Sequence, residues 1–267
     1  MNLSIAERGA RHTPMRQMLN KVPEVALSFW IIKVLATTVG ETVADFLSVG
    51  VGFGTAVTDA AMASLLAVAL VQQMRKDRYT PWVYWLTVVL VSVVGTQITD
   101  MLTDGLGISL YWSTGAFSVA LAVVFALWYR HEKTLSIHTI NTFPRELFYW
   151  VAILCTFALG TAAGDLATEA LALGFQGGVF VFAGLIAAIA GAYYMGASPV
   201  LTFWLAYILT RPLGAAFGDL LTQPQDAGGI GLGAMWTSAI FLSVILTLVT
   251  IAQRQASQEA SHQVPDH

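Results

Sequence analysis

The sequence predicts an all-α, polytopic membrane protein with eight transmembrane helices built from four parallel two-helix repeats. Three observations predict this fold. Of the 267 residues, 56% are hydrophobic and only 11% are charged, which is too little polar surface to cover a soluble globule of this size. Long apolar runs follow one another along the chain. One motif also recurs four times at constant spacing, as internal repeats do.

The motif is a tryptophan, nine residues, a glycine, four residues, an aspartate, two residues and a hydroxyl side chain. Its copies are Trp30, Gly40, Asp45 and Ser48; Trp85, Gly95, Asp100 and Thr103; Trp150, Gly160, Asp165 and Thr168; and Trp204, Gly214, Asp219 and Thr222. Because the spacing does not vary, each copy is expected to place the same group at the same depth and on the same helix face.

The apolar runs hold about 20 residues each, enough for a helix to cross the roughly 30 Å hydrocarbon layer. They are placed at about 24–48, 53–73, 82–103, 108–129, 147–171, 178–196, 199–222 and 232–252. The single membrane domain is therefore predicted at about 24–252, with repeats at about 24–80, 81–146, 147–197 and 198–252. Residues 1–23 form an N-terminal segment and residues 253–267 a polar tail.

The basic residues predict the orientation. None of the thirteen Lys and Arg residues lies in a loop after an odd-numbered span, whereas the loops at 75–78 and 130–145 are basic. By the positive-inside rule, both termini and these loops are cytoplasmic. The N-terminal segment lacks the pattern of a removable signal peptide.

Small residues predict that the odd-numbered helices form the inner part of the bundle. Each motif glycine is followed four residues later by Ala, Thr or Gly, a spacing that lets helix backbones approach closely. The aspartate next to that second small residue is expected to face a central cavity, and the tryptophan to lie near the cytoplasmic interface. The glycine-rich connections after the motif fit either tight hairpins or short re-entrant segments.

Four more carboxyl groups fall within or at the ends of predicted spans: Glu41, Asp59, Asp104 and Glu169. All except Asp59 are four residues from a motif aspartate and share its helix face. An ionisable group at a helix centre costs about 2.5–3.5 kcal/mol on insertion scales, so this density of carboxyl groups requires compensation. Protonation, ion pairing or a bound metal ion would each supply it.

The predicted spans contain two cationic side chains, Lys33 and Arg211. Lys33 either extends to the cytoplasmic interface or pairs inside the bundle. Arg211 lies deeper in its span and is expected to pair with Glu41 or Asp104. Pro212 is expected to kink or locally unwind that helix.

The polar residues of the motif predict a cation or proton site. Its members are Asp45, Asp100, Asp165, Asp219, Glu41, Asp104, Glu169, Ser48, Thr103, Thr168 and Thr222. Carboxylates and hydroxyls suit hard cations such as Mg²⁺, Mn²⁺ or Ca²⁺. All five histidines lie outside the predicted spans, and the lone Cys155 lies outside the motif.

The four motif copies resemble a family of bacterial multipass membrane proteins defined by four tandem two-helix repeats of unknown function. The resemblance extends from about Trp30 to Ile251. It implies the repeat architecture and a bacterial inner membrane, and it implies no activity.

The sequence favours a transporter of a divalent cation or of a proton-coupled solute. Its predicted partners are the lipid bilayer and a small ion or solute, and not nucleic acid. A scaffold or sensor whose aspartates cement the helices is the alternative, followed by an intramembrane enzyme. Because no nucleotide-binding loop or hydrolase nucleophile motif is present, neither a primary pump nor an enzyme is expected.

Overall fold

A computed structural model of the protein describes residues 20–47 and 55–262, and regular structure there is entirely helical. The motif residue Ser48 and the side chain of Asp45 lie outside what it describes. The membrane helices are α1 Leu27–Asp45, α2 Thr55–Met74, α3 Pro81–Asp100, α4 Leu110–Glu132, α5 Phe143–Asp165, α6 Gly174–Tyr194, α7 Pro199–Thr222 and α8 Ala234–His262.

Within the described residues, all eight helices are long and apolar enough to cross a membrane, which confirms the predicted number of spans. Several helix boundaries differ from the prediction by a few residues or more, and two of these differences have a local cause in the sequence. Helix α5 begins at Phe143, because Pro144 occupies the first turn, where a proline fits without losing a helical hydrogen bond. Helix α8 continues into the polar tail as far as His262, since no glycine or proline lies between Gly233 and Pro265 to end it.

The odd-numbered helices form an inner ring, as the small residues predicted. In α1, α3, α5 and α7, 56–67% of the span residues are buried, against 11–22% in the even-numbered helices. Around the ring, α1 contacts α3, α3 contacts α5, α5 contacts α7, and α7 contacts α1. Each even-numbered helix packs outside the odd-numbered helix of the next repeat, so α8 packs on α1 and closes the circle.

The motif glycines are the contact points of this ring. Each glycine lies against the residue three positions before the glycine of the next repeat. The pairs are Gly40 with Ser92, Gly95 with Phe157, Gly160 with Arg211, and Gly214 with Thr37. A Cβ atom on Gly95 would stand 2.7 Å from the Phe157 Cβ, closer than such atoms approach in proteins. The helices can therefore meet at this distance only because all four positions lack a side chain.

Aromatic residues close one end of the ring. The residue before each motif tryptophan packs on the tryptophan of the next repeat. The pairs, with the distances between ring centroids, are Phe29 and Trp85 at 5.7 Å, Tyr84 and Trp150 at 5.6 Å, Tyr149 and Trp204 at 6.3 Å, and Phe203 and Trp30 at 5.7 Å. We call these eight residues the aromatic girdle.

The girdle changes the role expected of the motif tryptophans. Trp85, Trp150 and Trp204 are 2–4% exposed, so they lie inside the bundle and not at the lipid interface. Aromatic pairs with centroids 4.5–7 Å apart gain stability beyond that of burial alone. Packing on the neighbouring repeat thus outweighs the preference of an indole for the headgroup region.

The connection between α4 and α5 folds over this end of the bundle. Ile140, in this connection, is fully buried. The Lys21 main-chain N–H donates to the Ile140 carbonyl at 2.9 Å, and the Lys21 ammonium donates to the Glu146 carboxylate at 2.7 Å. Gln73 donates to the same carboxylate at 3.1 Å. The termini-bearing end of the bundle is therefore capped by a buried polar network that the sequence analysis did not find.

The glycine contacts predict a large difference between two glycine-to-alanine substitutions. Gly95→Ala should lower the free energy of unfolding by about 1–3 kcal/mol, because the new methyl group overlaps Phe157. Gly184→Ala in α6 is the matched control, since a Cβ there meets open space. Thermal unfolding of both variants in detergent measures the difference. Equal stabilities would contradict the proposed role of the motif glycine.

Candidate functional site

A cavity of about 850 Å³ opens at the end of the ring opposite the aromatic girdle. It lies among the C-terminal halves of the odd-numbered helices, where the motif places its aspartates. Seven carboxyl side chains line it: Glu41, Asp59, Asp100, Asp104, Asp165, Glu169 and Asp219. Within the described part of the chain, its lining includes no Lys, Arg or His. We call it the acidic cavity.

The carboxyl groups of the acidic cavity act on one another across the ring. Asp165 on α5 interacts electrostatically with Asp100 on α3, Asp219 on α7 and Glu41 on α1. Asp59 comes from the outer helix α2, whose first turn also contributes Thr55. The cavity therefore gathers carboxyl groups from all four odd-numbered helices and one even-numbered helix, and those that are ionised attract cations.

Two π-helical segments position the outer carboxyl groups of this site. After Asp100 the chain forms a π-helical segment at Met101–Gly105, and after Asp165 another at Leu166–Ala170. These segments carry Asp104 and Glu169, and π-helical turns occur frequently at functional sites. The connections to α4 and α6 that follow them are short turns, which matches the hairpin expectation at these two positions.

The motif hydroxyls bond within their own helices. Thr103 donates to the Thr99 carbonyl at 3.1 Å, and Thr168 donates to the Gly164 carbonyl at 3.0 Å. Thr103 lines the acidic cavity, whereas Thr168 is buried against α6, where its methyl group lies near Gly178. Thr222 ends α7. Since a hydroxyl has one proton, Thr103 and Thr168 cannot also donate to a carboxylate of a neighbouring helix.

Arg211 lies on the axis of the ring, between the acidic cavity and the aromatic girdle. Its side chain is fully buried, and its guanidinium donates to the Glu41 carboxylate on α1 and to the Thr96 hydroxyl on α3. Because α3 is opposite α7 in the ring, this side chain crosses the centre of the bundle. Of the two partners that the sequence allowed, the structure pairs Arg211 with Glu41 and not with Asp104.

Thr96 was missed by the sequence analysis, although a signal for it existed. It directly follows the motif glycine of the second repeat, as Glu41 does in the first. Reading each position across all four repeats, and not only the charged ones, would have placed Thr96 at the level of Glu41.

Lys33 is also internal and does not extend to the interface. Its side chain is 1% exposed, and Nζ lies 4.1 Å from the ring centroid of Phe157 and 4.3 Å from that of Tyr207. Both distances are those of cation–π contacts. Nζ has no hydrogen-bond partner among the described residues. Because Phe157 belongs to α5, which faces α1 across the ring, Lys33 too lies near the axis.

No group of three or more His, Cys, Asp and Glu side chains in residues 20–47 and 55–262 is arranged to hold a metal ion. The carboxyl groups share one cavity but are carried by five different helices. A metal ion in the cavity would therefore complete its coordination with water.

The ring, the girdle and the acidic cavity define a multipass membrane protein of four repeats with a charged internal site. The chain belongs to the family described as Repeat of Unknown Function (DUF347), whose model matches residues 28–79, 83–134, 148–197 and 202–257. No curated protein and no solved structure matches the chain. The family carries no assigned activity, so the function follows from the site alone.

The central ion pair predicts strong coupling between its two partners. Glu41→Gln and Arg211→Met should each lower the free energy of unfolding by about 3–5 kcal/mol, because each leaves its partner buried without compensation. The double variant should lose less than the sum of the two. Denaturant unfolding of the three variants in mixed micelles measures the coupling. Strictly additive losses would mean that the two side chains do not interact.

Proposed function

We propose that this protein transports a cation across the membrane through the acidic cavity. The observation that carries the proposal is the composition of the cavity wall, with seven carboxyl groups and no basic side chain among the described residues. Carboxyl groups are expensive within a membrane and are retained there chiefly for ion, proton or substrate pathways. A cation entering the cavity brings positive charge close to these carboxyl groups.

In this proposal, Arg211 closes the inner end of the acidic cavity. Its guanidinium is always charged and is hydrogen-bonded to the Glu41 carboxylate. A cation that reaches Glu41 competes with Arg211 for the same carboxylate. Beyond Arg211, Lys33 and the aromatic girdle fill the ring, so the cavity is open at one end and closed at the other. Carriers bind substrate in such one-sided sites between structural repeats.

Two kinds of cargo fit the donor set. Carboxylate and hydroxyl oxygens suit Mg²⁺, Mn²⁺ or Ca²⁺, which would keep part of their water shell because no three acidic, His or Cys side chains of the described residues form a metal site. The same groups can exchange protons, and this suits a solute whose movement is coupled to protons. Both cargoes require the negative charge of the cavity.

The scaffold alternative receives less support from the hydrogen bonds. Cementing would require the motif hydroxyls to join a carboxyl group on one helix to the next helix. Thr103 and Thr168 donate within their own helices, so that only a protonated carboxyl group could bond to them, and the motif glycines already provide contacts between helices. For the enzyme alternative, the described part of the chain adds no candidate catalytic residue to those that the sequence analysis considered.

The proposed orientation places the acidic cavity on the outer face of a bacterial inner membrane, with both termini in the cytoplasm. Cysteine labelling tests it in a Cys155→Ser background, which removes the one native thiol. Arg78→Cys, in the basic loop after α2, should react with an impermeant maleimide only after cells are opened. Gln225→Cys, at the cavity end, should react in intact cells. The reverse pattern would invert the orientation.

Asp100→Asn tests the transport proposal. The amide preserves the shape of the side chain but removes its charge, so cation binding and uptake into proteoliposomes should fall at least about tenfold. Thermal stability should stay the same or rise, because a carboxyl group among like charges is removed. Asp226→Asn, an exposed change at the same end of the bundle and outside the cavity, should transport normally.

Normal uptake by Asp100→Asn, at equal expression and stability, would contradict the proposal and favour the scaffold. In that case Asp100→Leu, which removes hydrogen bonding as well as charge, should unfold the bundle. Uptake by both variants is measured with Mg²⁺, Mn²⁺, Ca²⁺ and protons.

A further inference from the structure

The acidic cavity is much larger than a metal ion requires. A liquid water molecule occupies about 30 Å³, so an ion with six waters fills roughly 200 Å³. The cavity encloses about 850 Å³. Sites of about 300–1,000 Å³ are typical for organic ligands. The size of the cavity therefore points to an organic cation.

The placement of the carboxyl groups gives the same indication. Ca²⁺ takes six to eight oxygen ligands at about 2.3–2.6 Å, and Mg²⁺ needs near-octahedral geometry at about 2.0–2.1 Å. No three acidic, His or Cys side chains of the described residues converge in this way. Carboxyl groups carried by five different helices instead match a ligand with more than one positive charge.

The wall also contains apolar surface between the charges. Met101, Ile108, Leu110 and Phe175 line the same cavity as the carboxyl groups. Methylene segments of a ligand would gain free energy by contact with these side chains, whereas a hydrated metal ion would not. The wall thus offers separate contacts for ammonium groups and for the carbon chain between them.

A neutral acceptor in the wall lacks a partner within the protein. Gln97 is 8% exposed and lines the cavity, and its Oε1 atom accepts no hydrogen bond in the described part of the chain. A buried carbonyl oxygen without a partner costs free energy unless a ligand or water satisfies it. An ammonium group, which donates three hydrogen bonds and accepts none, meets this requirement.

We propose that the cargo of the acidic cavity is a linear organic polycation, with two or more ammonium groups joined by short methylene chains. The inference rests on the proposed transport function and narrows its cargo. The ammonium groups bind Asp104, Glu169 and the other carboxyl groups that line the cavity. The methylene segments lie on the apolar side chains, and Gln97 accepts from an ammonium group.

The test is calorimetric titration of the purified full chain with five probes at constant ionic strength. The probes are spermidine, putrescine, methylammonium, Mg²⁺ and Mn²⁺. We expect affinity to fall from spermidine to putrescine to methylammonium, with each lost ammonium group weakening binding about tenfold or more. The two metal ions should not displace spermidine at equal concentration.

Variants locate the binding site. Asp104→Asn and Glu169→Gln should each weaken spermidine binding at least about tenfold, because each removes one carboxylate partner of an ammonium group. Gln97→Leu should weaken it less, since it removes a neutral acceptor. Asp226→Asn should bind as the unmodified chain does. A thermal unfolding scan of each variant shows that it is folded before titration.

The possible outcomes distinguish the inference about the cargo from the transport proposal. Spermidine binding that is equal in Asp104→Asn, Glu169→Gln and Asp226→Asn would place it outside the cavity and overturn the inference. Tight Mg²⁺ or Mn²⁺ binding without polyamine binding would also overturn it, while the transport proposal would stand. Binding of none of the five probes by the folded chain would overturn the inference about the cargo, and uptake of Ca²⁺ and of protons into proteoliposomes would then decide the transport proposal.

Discussion

The contact of each motif glycine with the next repeat is the constraint on which the rest of this structure depends. Gly95 packs on Phe157 at a distance that leaves no room for a methyl group, and the same contact is made by the other three repeats. Four such contacts bring four helices together around one axis. The residue five positions after each glycine then reaches the cavity end, as Asp100, Asp165 and Asp219 do. The acidic cavity is thus a consequence of helix packing.

The ring is symmetric in its packing but asymmetric in its chemistry. The residue three positions before the glycine is Thr37, Ser92, Phe157 and Arg211 in successive repeats. All four are buried against a glycine, yet only one is charged. One arginine in four equivalent positions lets a single side chain reach across the axis to Glu41 and Thr96. Four arginines there would repel one another. Repeats therefore supply the scaffold, and differences between them supply the site.

Sequence periodicity predicted the spans and the inner ring, because a helix face follows from spacing alone. Spacing does not say which helix lies next to a given face. The partner of Arg211 therefore stayed open between Glu41 and Asp104, and the cross-ring contact of Lys33 with Phe157 was not foreseen. The burial of Trp150 was missed for a similar reason, since its partner Tyr84 belongs to another repeat. The cap made by Lys21 and Glu146 joins residues far apart in the chain, beyond any local pattern.

The position of Arg211 also limits how a cation could cross this bundle. A cation that followed the axis from the acidic cavity would meet a fixed guanidinium and then the Lys33 side chain, both in a medium of low dielectric constant. Even at an effective dielectric constant of 20, two unit charges 4 Å apart repel by about 4 kcal/mol. A continuous pore for cations along this axis is therefore unfavourable. The proposed transport would instead require Arg211 to leave Glu41 as the cargo arrives, so that one positive charge replaces another.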